Sequence, residues 1–120
     1  MSPFAEFMSQ AAYLRVKVLT PWTFRAAKQV IDGAKESAIA QGHNYILFDL
    51  TPWADVDTGM TRFLSGEYLA QQFSPRFKMA AFTVPEAIDR FGENAAVNRG
   101  ARFRIFDNEQ DAIAWLLRDL

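Results

Sequence analysis

The chain has no cysteine, which excludes disulfides, thiol nucleophiles and thiolate metal sites. A single histidine, His43, excludes a histidine-rich metal centre. An excess of one charge is also missing. Thirteen Lys and Arg stand against 14 Asp and Glu, leaving a net charge of −1 over 120 residues. Nucleic-acid and anionic-membrane binding draw on surplus Lys and Arg, so no nucleic-acid partner is expected. No apolar run is long enough to span a bilayer, so no integral membrane segment is predicted. The first 12 residues hold neither a basic residue nor a continuous apolar stretch. They do not resemble a secretory leader, and a cytoplasmic location is expected. Glycine-rich phosphate loops and a Gly-x-Ser-x-Gly nucleophile elbow are absent. No cofactor and no catalytic residue are predicted, and the chain is read as non-enzymatic.

Half of the residues are hydrophobic and 22% are charged, as in a globular domain with its own core. Residues 13–120 read as that domain and residues 1–12 as an N-terminal extension. In the extension, Ser2 as cap, Pro3 at the first position and Phe4, Phe7 and Met8 on one face predict a short helix.

Tyr13 to Leu19 alternates, with Leu14, Val16 and Val18 on one side and Arg15 and Lys17 on the other. That pattern predicts a strand with one wet face, near a sheet edge. A helix follows from Thr20-Pro21, with Ala27, Val30, Ile31, Ala34 and Ala38 at helical spacing and Gly42 as its stop. Tyr45 to Leu50 is apolar up to Asp49, as expected of a strand covered on both faces. A second helix carries Met60, Phe63, Leu64, Tyr68 and Phe73 and ends near Ser74-Pro75. Phe77 to Thr83 is a third strand. Thr83 and Glu86 have capping-box spacing for a third helix, which stops at Asn98-Arg99-Gly100. Ala101 to Phe106 is a fourth strand, read as an edge. Asp107 caps a last helix bearing Ile113, Leu116, Leu117 and Leu120. Strand–helix repeated four times predicts an α/β domain: a four-stranded, mostly parallel sheet with helices on its faces.

Candidate functional residues gather around the second strand. Leu19-Thr20-Pro21-Trp22 and Leu50-Thr51-Pro52-Trp53 repeat one pattern at two strand ends, so parallel strands bring both copies to one rim. Strand termination explains the Thr-Pro pairs. Trp22 and Trp53 are candidates for either a core lid or a binding surface. Asp49, Asp55 and Asp57 cluster there as well. Metal binding or acid/base work would use such carboxylates, but strand-end capping by Asp49, solvation of Asp55 and helix capping by Asp57 are favoured, since no base or electrophile accompanies them. Thr58 stands at a helix start, facing unpaired N–H groups and the positive end of the dipole, where a phosphate is favoured. An ordinary helix start is the other reading of Thr58.

Three segments resemble the STAS domains, in the SpoIIAA-like branch that includes anti-sigma-factor antagonists. They are Tyr45-Ile-Leu-Phe-Asp-Leu50, Asp57-Thr58-Gly59-Met60, and Phe103-Arg-Ile-Phe106 with Ala112-Ile-Ala-Trp-Leu116. The second segment is one residue shorter than the family's Asp-Ser-Ser-Gly-Leu and has Thr where Ser is usual. The resemblance spans about Tyr13 to Leu117. It implies a regulatory, protein-interaction module with a kinase or anti-sigma-like signalling partner and a phosphoacceptor at Thr58. The binding surface then comprises Trp22, Trp53, Asp55, Asp57 and Gly59. The alternative expectation is a carrier of a small apolar ligand or lipid, with Met60, Phe63, Tyr68 and Phe73 lining its pocket. A homodimer is compatible with either.

Overall fold

Burial alternates along residues 5–8. Ala5 is buried and Phe7 half-buried, while Glu6 and Met8 are exposed. The structure, a computed structural model, describes residues 4–53, 59–85 and 97–119. Strand β1 (Ala5–Ser9) runs antiparallel to β2 (Leu14–Val18), from Ala5↔Val18 to Ser9↔Leu14. The expected N-terminal helix is therefore a strand. A capped turn has few internal bonds to offer, whereas the free edge of β2 supplies a full ladder of them. The segment read as an extension thus contributes to the sheet, and β2 is not an edge.

The sheet has five strands rather than four, in the order β1-β2-β3-β4-β5. Strands β3 (Tyr45–Asp49), β4 (Lys78–Phe82) and β5 (Arg102–Phe106) continue from β2 in parallel. The carboxyl ends of β2 to β5 consequently share one rim.

Helix α1 (Phe24–Gln41) starts three residues later than Thr20-Pro21 suggested. Thr23 is its cap, with its hydroxyl accepting from the Ala26 N–H at 2.9 Å. Its stop is the expected one. Gly42 lies in the left-handed region at φ 74°, and its N–H closes on the Ala38 and Ile39 carbonyls. Gly33, a costly residue inside a helix, has a packing reason. A Cβ there would lie 2.6 Å from Cζ of Phe7, so the missing side chain is the seat of the β1 aromatic ring.

Helix α2 (Gly59–Gln72) packs beside α1 on one face of the sheet. The core on that face joins Leu14, Val16, Val18, Ile46, Phe48, Met79 and Ala81 to Val30, Ala34, Leu69 and Phe73. Helix α3 (Glu109–Leu117) covers the other face, where Ala112 and Leu116 meet Leu47, Ala80 and Phe82. Every residue of β4 is buried, as a strand covered on both sides must be. Burying each Leu or Ile of these cores contributes about 1.5–3 kcal/mol.

The cap of α3 is Asn108 rather than Asp107, with its side chain accepting from the Asp111 N–H at 2.8 Å. Asp107 instead accepts from the Asn108 side-chain amide at 2.7 Å. Residues 86–96, and with them most of the expected third helix, lie outside the described residues. Thr83, expected to open a capping box, has a buried hydroxyl with no partner among the described residues.

Candidate functional site

The rim at the strand carboxyl ends brings the two Thr-Pro-Trp copies into contact. Thr51–Trp53 forms a single 3-10 turn after β3, and the Trp53 indole donates from Nε1 to the Thr20 carbonyl at 2.7 Å. The half-buried ring also packs on the core beneath α1. One face of Trp53 is thus a lid, and its polar atom ties the end of β2 to the end of β3. Trp22 sits half-buried immediately before the α1 cap.

Asp49, at the end of β3, is buried and fully engaged. Its Oδ1 accepts from the Thr51 N–H at 3.0 Å and from the Thr51 hydroxyl at 2.7 Å. Its Oδ2 faces Arg15 Nη2 at 3.5 Å. This is strand-end capping by an Asx-type turn, one of the two roles expected for Asp49. Among the described residues no group of three His, Asp or Glu is positioned to hold a metal ion.

The Thr20 and Thr83 side-chain oxygens are buried with no hydrogen-bond partner among the described residues. A buried polar group without a partner costs about 1–3 kcal/mol, so the rim retains hydrogen-bonding capacity at the ends of β2 and β4.

Thr58, Asp55 and Asp57 lie outside the described residues, and Gly59 is the first residue of α2. Met60 and Phe63 fall on α2, with side chains outside the described set. The other two residues of the expected apolar pocket are occupied in packing. Phe73 is buried in the core, edge-to-face with Phe77 at 5.2 Å. Tyr68 bridges α2 to α1, its hydroxyl donating to Asp32 Oδ1 at 2.6 Å and its ring edge-on to Phe24 at 6.4 Å.

That bond to Asp32 pushes the Tyr68 pKa up to about 12, with burial and the nearby carboxylate charge acting the same way. A raised pKa means that the bond's stabilisation is complete below the ordinary tyrosine value and is lost as pH rises through about 12. Following phenolate absorbance through a pH titration, we expect a late phase near pH 12 from Tyr68. Tyr68→Phe should remove that late phase and lower stability by about 1 kcal/mol.

One ionic arrangement at this rim was not legible in the sequence. Arg15, expected to point into water, lies beneath the start of α3. Its Nε and Nη2 donate to the Glu109 carboxylate at 3.0 and 3.2 Å, and its guanidinium lies 5.8 Å from the centre of the Phe82 ring. The Glu109 bonds hold the Arg15 pKa above its ordinary value. Arg15 and Glu109 are 94 residues apart, and no local pattern signals such a pair.

At the opposite rim Lys78 is 3% exposed. Its Nζ donates to the Trp115 carbonyl at 2.7 Å and to Asp119 at 3.1 Å. His43, expected to be structural or solvated, pairs with the Ser9 hydroxyl at 2.7 Å beside the α1 C-cap.

No family model matches this chain, and no curated protein matches it. Among the described residues no helix is long and apolar enough to cross a membrane.

Proposed function

We propose that the chain is a non-enzymatic regulatory module that binds a protein partner through the rim at the carboxyl ends of its parallel strands. The observation that carries this reading is the start of α2 at Gly59. Thr58 precedes Gly59 in the sequence, and the start of a 14-residue helix carries unpaired N–H groups and the positive end of a dipole. The half-buried indoles of Trp22 and Trp53 and the unpartnered hydroxyls of Thr20 and Thr83 add apolar surface and hydrogen-bonding capacity at the same rim. The likeness to SpoIIAA-like domains supports the same reading, with a signalling protein as the partner and a kinase acting on Thr58.

Phosphorylation of Thr58 adds roughly −1.5 to −2 charge within three residues of both Asp55 and Asp57, which repels an acidic partner. Mass spectrometry with fragmentation, on protein isolated from its own cells, should map a phosphate to Thr58. Thr58→Asp should then weaken capture of the partner at least tenfold, whereas Thr58→Ala retains it. Equal capture by both variants would end the switch reading.

A further inference from the structure

We infer that β1 is a self-association strand, and that two copies of this chain join edge to edge through it into a continuous ten-stranded sheet. The inference does not depend on the function proposed above.

The phase of the β1–β2 ladder is set by the bonds that flank it. The Leu19 N–H donates to the Phe4 carbonyl at 2.9 Å, and the Gln10 N–H to the Tyr13 carbonyl at 2.8 Å. With the two-residue period of an antiparallel pair, Phe4, Glu6, Met8 and Gln10 turn their backbone groups toward β2. Ala5, Phe7 and Ser9 turn theirs to the outer edge, where no described residue pairs with them. A row of unpaired donors and acceptors on a regular strand is a template for another strand.

The two ends of the sheet differ in how they treat this hazard. Strand β5 carries exposed Arg102 and Arg104, so an antiparallel self-pairing centred on Arg104 would set like charges against each other. Strand β1 has no Lys, Arg or Pro. A twofold axis at Phe7 sets Ala5 against Ser9 of the mate, Phe7 against Phe7, and Glu6 against Met8. No like charges meet, and the 39%-exposed Met8 gains an apolar stem to cover it. The outward residues fall at the hydrogen-bonded positions of this pairing, so each exchanges both backbone bonds with its mate. On the helical side, the Phe7 contact places Gly33 over β1, and Ser37 and Ala40 follow it at helical spacing. Gly33, Ser37 and Ala40 are small, and the exposed Glu36 lies on the same flank three residues after Gly33. A single short strand pair makes a small interface, so the association should be weak and reversible.

Sedimentation across about 1 μM to 1 mM should show a reversible monomer–dimer equilibrium. The Phe7 amide should gain protection from hydrogen exchange as the dimer fills, because on the outer edge no described residue of its own chain pairs with it. The Glu6 amide, bonded to β2 in both states, should not change. Met8→Glu sets a new carboxylate against Glu6 of the mate twice per dimer and should weaken association about tenfold or more. Within its own chain that carboxylate faces Arg15 across the β1–β2 ladder, so the monomer keeps its fold, which circular dichroism verifies. Residues 6 and 8 of the two copies form a non-hydrogen-bonded pair with Cα atoms about 4.5 Å apart, close enough for a disulfide. An oxidised mixture of Glu6→Cys and Met8→Cys chains should therefore yield the mixed dimer over either symmetric one. Monomer throughout the concentration range would overturn the inference. So would a dimer whose Phe7 amide stays unprotected and whose strength Met8→Glu leaves unchanged.

Discussion

Lys78→Ala is expected to destabilise the fold by about 3 kcal/mol, the largest loss from any single polar side chain among the described residues. Lys78 is almost completely buried at the start of β4, and burial of an ammonium group is costly without partners. Here the partners are present. The Trp115 carbonyl, in the last turn of α3, accepts at 2.7 Å, and the Trp115 ring centre lies 4.4 Å from Nζ. A cation there also meets the negative end of the α3 dipole. Removal loses a charge-assisted bond, the cation–π contact and a four-carbon stem, and opens a cavity between β4 and α3. The Asp119 ion pair adds only a solvent-screened term, because that carboxylate is half exposed. Lys78→Met retains most of the volume and should lose only about half as much. Urea unfolding of the three proteins measures both differences, and equal stability of all three would sink the account.

The same change should alter the acid limb of stability. The bond from Lys78 holds the Asp119 pKa below its ordinary value. A lowered pKa contributes stability that is present above the ordinary carboxylate range and disappears as pH falls through the lowered value. Lys78→Ala should therefore flatten this part of the profile as well as lower its plateau.

Arg15→Met is the second large effect, expected at about 2–3 kcal/mol. Arg15 holds the β2 end of a chain of contacts that runs to Asp49 on β3 and Glu109 on α3. Its side chain is 17% exposed and that of Asp49 only 8%, so the variant leaves a buried carboxylate without its cation. The loss stays below the full cost of an orphaned charge because the Thr51 N–H and hydroxyl still bind the other Asp49 oxygen. Glu109 is more exposed and returns to water. Adding Asp49→Asn to Arg15→Met removes the orphaned charge and should recover roughly 1 kcal/mol. If the double variant is less stable than the sum of the single losses, the cation is not what sustains Asp49.

Most of the strand and helix sequence is legible because one-dimensional periods encode it. The two-residue alternation of Leu14, Val16 and Val18 and the 3.6-residue spacing of Val30, Ile31, Ala34 and Ala38 both reappear as buried faces. Gly42 is readable as a stop because a positive φ suits glycine at little cost. The first strand is not readable, because residues 5–9 carry too little periodic signal to outweigh a plausible helix cap. Its state depends on an edge presented by β2.

Less of the site is legible. The Thr-Pro-Trp echo points to a shared rim, since parallel strands must end together. The bond from Trp53 to Thr20 needs the turn geometry of Thr51–Trp53. Arg15 reads as wet because alternation shows which residues share a face and is silent on what covers that face. Helix α3 covers it, arriving from the far end of the chain.

By itself, then, the sequence determined the α/β class, the mostly parallel sheet, the buried face of α1, and the absence of thiols and of a histidine-rich metal site. Those follow from composition and from periods of two and 3.6 residues, which are local. Tertiary structure alone decided the fifth strand, the Gly33 seat for Phe7, the burial of Lys78 and the Arg15–Asp49–Glu109 contacts. Each joins residues far apart in the chain, and the free energy of such a contact depends on a distance and a degree of burial that no local window contains.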